Sequence, residues 1–456
     1  MADLSRVRRI HLVGVGGTGM NPLARLLAGR GYVVSGSDVR SSEAMARLED
    51  LGLEVWAGHR PESVRSADLV VASSAVPDSD AELAAAGEAG VPVWRRPQLL
   101  EALTRQIPTI GPTGTHGKTS TTALMVLGAR AAGLDPAFVV GGEVLSLRTN
   151  AAAGSDDLFV LEVDEAFATF ESVHLEGLVV TNIEAEHLEH FGTFADLEAA
   201  FARVVRGVNG PVVVCRDDPG AARLAQRTGA ITYGTSPGEG WQMTDVAMSA
   251  ESVAFTLSGP AGRASVEVPR PGIHIARNAA GALALLAHKG IDIEAAARGV
   301  AGFGGVRRRF ELKGVVSDVT VIDDYAHHPT EVAATLRAAA AGSHGRLWAV
   351  FQPHLYSRTE RLSVDFGLAL ASADRVVVTD VYGAREEPRP GVTGQLVADA
   401  AVRAGAPAVD YVAHRADLAG FLAERVASGD TVITMGAGDI TVVPGELLAL
   451  LAARAS

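Results

Sequence analysis

The stretch Gly114-Thr115-His116-Gly117-Lys118-Thr119-Ser120 limits what this chain can fold into more than any other. An apolar run, Ile107 to Ile110, leads into it, and Thr121-Thr122-Ala123-Leu124-Met125-Val126-Leu127 leaves it as a helix. A strand, a glycine turn and a helix N-terminus set several backbone N–H groups around one anion, and the helix dipole adds to the attraction. Lys118 reaches terminal phosphates as a point charge, and Thr119 offers a hydroxyl to Mg²⁺. The general pattern G-x-x-x-x-G-K-[ST] asks for glycine at 112. This chain has Pro112 there, so the loop is a shortened one, Gly114-x-x-Gly117-Lys118-Thr119. A capped helix after an ordinary glycine turn does not explain Gly-Lys-Thr at a helix start. The nucleotide expected here is ATP.

A chain of 456 residues has room for two to four domains, and 48% hydrophobic with 20% charged residues is a globular composition. The net charge of −13 argues against nonspecific nucleic-acid binding, which needs a basic face. It leaves room for a small anionic ligand in a locally positive pocket. The single cysteine, Cys215, excludes an intrachain disulfide framework and fits a reducing compartment. No apolar run approaches membrane-spanning length, and Met1-Ala-Asp-Leu-Ser carries no signal-peptide core. The expectation is a soluble cytoplasmic protein, monomer or homodimer, with neither nucleic acid nor membrane as partner.

Residues 9 to 36 read as strand, glycine turn, helix and strand. Ile10-His11-Leu12-Val13 enters Gly14-Val15-Gly16-Gly17-Thr18-Gly19-Met20, and Leu23, Leu26 and Leu27 share one face of the following helix. Asp38 closes the next strand. The glycines allow a diphosphate to sit on the helix N-terminus, and the acid is placed to meet a ribose. Diphosphate recognition follows from this pattern, whereas the nucleotide that carries it does not; NAD is the default. The unit continues through Asp68-Leu69-Val70-Val71-Ala72, with Gly58-His59 and Ser73-Ser74 at strand ends, and punctuation at Gly90, Pro92 and Pro97 sets a boundary near 105.

After the phosphate loop, Leu158-Phe159-Val160-Leu161 is an apolar strand ending in Glu162-Val163-Asp164-Glu165, where a second Mg²⁺ contact is expected. Leu178-Val179-Val180-Thr181-Asn182-Ile183 runs into Glu184-Ala185-Glu186-His187-Leu188-Glu189-His190. Both histidines stand at the mouth of the same parallel sheet. Residues 212 to 270 hold short alternating segments that read as a small β extension, and a helix rich in alanine and leucine starts near Ile273 and carries Asn278. Arg307-Arg308-Arg309 follows a glycine-rich turn, either as a solvated basic turn or as a linker that meets phosphates. In the third segment Asp323-Asp324-Tyr325-Ala326-His327-His328, Gln352-Pro353-His354-Leu355 and Gly436-Ala437-Gly438-Asp439 all sit at strand ends, the usual ligand side of a parallel sheet.

Three α/β units in this order, with a short phosphate loop in the second, resemble the Mur ligase family over nearly the whole chain. The resemblance rests on Gly14-x-Gly16-Gly17-x-Gly19-Met20, Thr113-Gly114-Thr115-His116-Gly117-Lys118-Thr119 and Asp323-Asp324-Tyr325-Ala326-His327-His328-Pro329-Thr330-Glu331. Phe351-Gln352-Pro353-His354 with Tyr356-Ser357-Arg358-Thr359, and Asp380-Val381-Tyr382-Gly383-Ala384-Arg385-Glu386, extend it. It implies an α/β fold of three domains: a Rossmann-like UDP-sugar domain (1–105), a central P-loop ATP domain (106–311) and a Rossmann-like C-terminal ligase domain (312–456). It also replaces NAD by a UDP-sugar in the first domain.

The activity implied is that of an ATP-dependent carboxylate–amine ligase. ATP phosphorylates the lactyl carboxylate of UDP-N-acetylmuramate, and the amine of L-alanine then displaces phosphate, with Mg²⁺ or Mn²⁺ as cofactor. Carried over position by position, Gly14, Gly16, Gly17, Gly19, Asp38, His59 and Ser73 would bind the UDP-sugar. Gly114, Thr115, His116, Gly117, Lys118, Thr119, Ser120, Asn278, Arg309 and Asp324 would bind ATP. Thr119, Glu162 and His187 would ligate metal, Tyr325, His354 and Arg358 would bind the amino acid, and Lys118, Glu162, His187 and His327 would carry catalysis. Three departures stand out. Ile275 replaces an asparagine of the His-Asn-x-x-Asn pattern, and Leu355 replaces an arginine. Asp164-Glu165-Ala166-Phe167-Ala168-Thr169-Phe170 replaces Asp-Glu-Ser-Asp-Gly-Ser-Phe, which points to an altered acyl-substrate pocket. A paralogue with another acyl donor or amine, and a non-catalytic nucleotide sensor, are the alternative readings.

Overall fold

The structure, a computed structural model, describes residues 4–186, 188–384 and 386–455. The first sheet contains β1 (Arg9–Val13), β2 (Val33–Asp38), β3 (Glu54–Ala57), β4 (Leu69–Ala72) and β5 (Val93–Arg95). Their spatial order is β3-β2-β1-β4-β5, all parallel. The chain fills one side of β1 and then returns to fill the other, so the C-terminal ends of β1 and β4 frame a switch-point crevice. The glycine turn leaves β1 and Ser73 follows β4. The apolar run of β4 is buried throughout, as a parallel strand covered on both faces requires.

The second sheet contains β6 (Thr109–Thr113), β7 (Pro136–Val144), β8 (Thr149–Ala152), β9 (Ser155–Leu161), β10 (Gly177–Val180), β11 (Val212–Cys215), β12 (Ile231–Gly234), β13 (Trp241–Met248), β14 (Val253–Gly259) and β15 (Gly262–Val268). Ten strands run in the order β15-β14-β13-β12-β11-β10-β6-β9-β7-β8. β6 lies between β9 and β10, parallel to both, so the switch point falls where the phosphate loop begins. Pro112 lacks an N–H, yet its carbonyl accepts from Val163 N at 3.0 Å, which keeps the central strand paired. The segment 212–270 does not stand apart as a β extension. β11 is a fully buried strand parallel to β10, and only β13–β15 form the outlying end of the same sheet. Alternating apolar residues alone did not reveal that continuity, because the helix Pro219–Thr228 between β11 and β12 is short and polar.

The first two sheets share one hydrophobic core. Leu23, Leu26 and Leu27 of the helix Asn21–Gly29 belong to the same buried cluster as Ala137, Val139 and Ala151 of β7 and β8. Gly29 permits the close approach, since a Cβ there would stand 3.0 Å from the Ala153 Cβ. Arg30 pairs with Asp156 at 2.7 Å, and Arg47 bridges Glu43 and Glu143.

The third sheet contains β16 (Glu311–Val316), β17 (Val319–Asp324), β18 (Leu347–Phe351), β19 (Arg375–Val378), β20 (Val409–Tyr411) and β21 (Thr431–Met435), in the order β16-β17-β21-β18-β19-β20. Only the β16–β17 pair is antiparallel. By contacts the chain forms two compact units. One runs to Ala247 and adds Ala254–Val268 and Ile275–Gly304; the other comprises Met248–Val253, Pro269–His274 and Gly305–Ser456. Among the described residues no helix is long and apolar enough to cross a membrane.

Candidate functional site

β6 delivers Gly114 at φ +131°, and Gly117 at φ +84° caps the helix Lys118–Ala131. Both angles favour glycine. Space forbids a side chain as well. A Cβ at 114 would lie 2.3 Å from Thr181 Oγ1, and one at 117 would lie 2.6 Å from Asn278 Oδ1. Asn278, on the helix Ile273–His288, is therefore brought onto the loop, while Ile275 is buried in the same helix. The loop is braced from the end of β10. His116 N donates to Asn182 Oδ1 at 2.7 Å, while Thr181 Oγ1 and Asn182 Nδ2 donate to the His116 carbonyl at 2.7 and 3.0 Å. Glu184 N donates to Thr115 Oγ1 at 2.8 Å, and the His116 ring lies 3.4 Å from the Glu184 carboxylate. Ser120 is buried in the first helical turn.

Charged groups from the end of β9 meet the helix start. Lys118 Nζ donates to both Glu165 oxygens at 2.9 and 2.7 Å and to the Gly114 carbonyl at 2.7 Å, with Asp164 at 3.9 Å. Burial pulls the Lys118 pKa down, but Glu165, Asp164 and Glu162 outweigh it and raise the pKa above the ordinary value. Thr119 Oγ1 donates to Glu162 Oε1 at 3.1 Å, and Gly141 N donates to Glu162 Oε2 at 2.6 Å. A Cβ at Gly141 would come within 2.7 Å of that carboxylate. A hydroxyl beside a held carboxylate, in a cluster with more acids than bases, is a donor set that Mg²⁺ accepts. His187 lies outside the described residues. Glu165, Thr181, Asn182 and Glu184 were legible in sequence only as strand ends.

In the first sheet, Gly14 N and Val15 N donate to the Ser37 carbonyl at 2.8 and 2.9 Å, and Gly17 N donates to Gly14 O at 3.2 Å. Gly14 has φ +84°, and a Cβ there would meet the Ser73 Cβ at 3.0 Å, so Ser73 does reach the turn. Asp38 Oδ2 accepts from Gly16 N at 2.9 Å, which makes this acid a brace of the turn itself. Gly58 N donates to Asp38 O at 2.8 Å, so the Gly58-His59 turn joins the same group, with His59 Nδ1 3.4 Å from Asp80. A cation missed in the sequence stands here too: a Cβ on Gly19 would lie 3.1 Å from Arg96 Cζ. Behind the site, buried Glu82 accepts from Arg60 N at 2.8 Å and from Ser37 Oγ, and lies 3.6 Å from His11.

The third sheet gathers the remaining candidates at the ends of β17 and β18. Buried Asp324 accepts from Phe310 N and Ala326 N at 2.6 and 2.7 Å; burial pushes its pKa up to about 6. Its oxygens thus hold the turn. Arg309 stacks over Tyr325 at 4.9 Å and reaches Glu331 at 3.5 Å. His327 Nδ1 lies 3.0 Å from the Tyr325 carbonyl, which can only accept, so Nδ1 carries the proton and Nε2 remains an acceptor. Burial pushes the His327 pKa down to about 4, with Arg358 and Arg309 acting in the same direction against Glu331. His354 lies 6.0 Å from His327 and stacks on Tyr382, and Arg358 Nη1 is 3.4 Å from His354 Nδ1. Leu355 takes φ +68°, with its N–H on the Tyr382 carbonyl at 3.0 Å. Tyr382 and Glu331 complete this cluster without having been singled out as site residues. The segment Ala166–Glu171 is a 3₁₀ turn, and the side chains at 166–168 lie outside the described ones. Phe170 is core, edge-on to Phe201 at 5.1 Å.

Residues 9–107 match the Mur ligase family catalytic domain, 113–286 the Mur ligase middle domain, and 308–438 the Mur ligase glutamate ligase domain. A UDP-N-acetylmuramate–L-alanine ligase of Mycolicibacterium gilvum is 43% identical over 98% of this chain and 97% of its own. The enzyme of that name from Kineococcus radiotolerans is 44% identical over 99% and 98%. A solved structure of a UDP-N-acetylmuramate–alanine ligase from Thermotoga maritima superposes with a TM-score of 0.84 at 27% identity, covering 98% of this chain and 99% of that one.

Proposed function

This chain belongs to the Mur ligase family, and on that premise we propose that it joins L-alanine to UDP-N-acetylmuramate in peptidoglycan precursor synthesis, driven by ATP. The observation that carries the reading is full-length similarity: 43 and 44% identity to ligases of that activity over 98 and 99% of the chain, with no domain unmatched. A lactyl carboxylate oxygen attacks the γ-phosphorus of ATP and ADP departs. The alanine ammonium gives up one proton, its nitrogen attacks the acyl carbon, and the C–O bond to phosphate breaks as a second proton leaves the nitrogen and the amide forms.

Negative charge builds on phosphoryl oxygens in the first step, so the groups aimed at them contribute most. In this reading the N–H groups of Gly114 to Ser120 cradle the phosphates, Lys118 meets the β- and γ-phosphates, and Asn278 receives the adenine. Arg309 and Asp324 serve the ATP side from the third sheet. Thr119, Glu162 and His187 would hold Mg²⁺ or Mn²⁺, which when bound neutralises phosphate charge. The switch point of the first sheet takes the UDP-sugar through Gly14, Gly16, Gly17, Gly19, His59 and Ser73, with Asp38 shaping the turn. Tyr325, His354 and Arg358 take the amino acid, Arg358 clamping its carboxylate. His327, neutral at pH 7, orients the amine through Nε2 and sets no positive charge against an incoming ammonium.

Domain limits at 105/106 and 311/312 and a cytoplasmic monomer or homodimer complete the proposal. The test is phosphate release with UDP-N-acetylmuramate, Mg²⁺-ATP and each amino acid in turn. L-alanine should give the highest kcat/KM. A higher value with another amine or acyl donor would make the protein a paralogue of different specificity, and ATP consumption independent of any amine would overturn the ligase reading.

A further inference from the structure

Lys118 does not stand open to a phosphate. Its ammonium has three N–H donors. It shares them among both Glu165 oxygens, at 2.9 and 2.7 Å, and the carbonyls of Gly114 and Thr115, at 2.7 and 3.3 Å. The Lys118 side chain is 13% exposed and that of Glu165 2%. The carbonyls belong to a loop fixed by Thr181 and Asn182, so Glu165, from the turn after β9, is the partner that can yield.

We propose that Glu165 is a positioning residue for the phosphoryl-transfer step. It latches Lys118 onto the phosphate loop, fixes the direction of the ammonium, and competes with the terminal phosphates for it. The proposal rests on the reading of this loop as the ATP site. Two consequences follow from one carboxylate. Its charge repels triphosphate across a short distance in a poorly solvated site, so it weakens ATP binding. Its hydrogen bonds hold a flexible four-carbon side chain in place, so it supports turnover. A residue that merely braced the fold would move both quantities in one direction.

The experiment uses the full chain and two variants, Glu165→Gln and Glu165→Asp. Affinity for Mg²⁺-ATP is measured without acyl or amine substrate, kcat with all substrates, and Tm for each variant. Glutamine keeps one acceptor for Lys118 and loses the charge. Glu165→Gln should bind ATP about fivefold more tightly while kcat falls about thirtyfold. Glu165→Asp keeps the charge at a shorter reach and should retain the parental ATP affinity with an intermediate kcat. The latch is overturned if Glu165→Gln leaves both values within about twofold of the parent. It is equally overturned if affinity, kcat and Tm of that variant fall together. ATP affinity is read without the other substrates, so failure of the parent to make an amide would refute the proposed reaction and leave the affinity arm intact.

Discussion

The chain makes the same local move twice: a buried strand, a glycine turn that opens on a glycine of positive φ, and a helix. After β1 the turn is Gly14–Gly19, and after β6 it is Gly114–Gly117. The shells around them differ. At the first turn one oxygen of a carboxylate, Asp38, accepts from Gly16 N–H, and the nearby cation Arg96 comes from beyond β5. At the second, Glu162, Asp164 and Glu165 gather around the single ammonium of Lys118. The first shell pairs a cation with an acid already engaged by the backbone, which fits an anionic ligand; at the second, three carboxylates surround one ammonium, surplus negative charge that a divalent cation would balance. A glycine turn therefore specifies an anion seat, and the strand ends beside it specify the chemistry.

The comparison breaks most sharply at Lys118, because it starts the helix after its glycine turn, whereas the cation of the first turn, Arg96, comes from elsewhere in the chain. Lys118→Ala should lower kcat by about a thousandfold or more, since a cation on the transferring phosphoryl group is lost. Affinity for UDP-N-acetylmuramate, measured by calorimetry, should stay within about twofold. Equal loss of both would show that the two seats are not independent.

The next effect belongs to the first shell and is one of stability. Burial alone would raise the Glu82 pKa, but His11, Arg60 N–H and Ser37 outweigh it and hold the group at about 2, against an ordinary 4.5. The folded pKa is depressed, so the stabilisation is complete above about pH 4.5 and is lost as pH falls through 4.5 towards 2. Its size is about 3 kcal/mol at most. Thermal melts at pH 7, 4 and 3 should show Glu82→Gln destabilised at pH 7, almost as much at pH 4, and with the gap to the parent roughly halved at pH 3. Parallel melts at all three values would remove the claim.

At the second turn, Glu162→Gln should weaken the apparent Mg²⁺ dependence of phosphate release by about a hundredfold. Binding of UDP-N-acetylmuramate should not change. A Mg²⁺ titration of the variant that overlays the parent would take Glu162 out of the metal site.

What the sequence made legible follows from how local each feature is. Gly114-x-x-Gly117-Lys118-Thr119 lies in six consecutive residues, and its strand–turn–helix geometry follows from them. The partners do not. Glu165 reaches Lys118 across 47 positions and Asn182 reaches His116 across 66, and only the β10-β6-β9 strand order brings them together. Asp38 shows the limit in a different way. Its position at a strand end suggested a ribose contact, and the structure adds a second task, since one of its oxygens accepts from the Gly16 N–H. The edge strands β8 and β16 escaped notice because half-exposed edge strands carry weak apolar patterns.

Asp38 also supplies the smallest and most discriminating test. If its role is to hold Gly16 N–H, asparagine can present Oδ1 at the same place and preserve the turn. Asp38→Asn should then leave UDP-N-acetylmuramate affinity within about threefold of the parent, because a neutral acceptor replaces a charged one in a bond worth roughly 1 kcal/mol net. Asp38→Ala strands the Gly16 N–H and lets the turn relax, and should weaken affinity by about tenfold. Mg²⁺-ATP affinity should not move in either variant, since the second turn has its own braces in Thr181 and Asn182. The opposite result is equally informative. If Asp38→Asn is as damaging as Asp38→Ala, the charge itself meets a ligand hydroxyl once the UDP-sugar is bound, and the bond to Gly16 marks only the ligand-free turn.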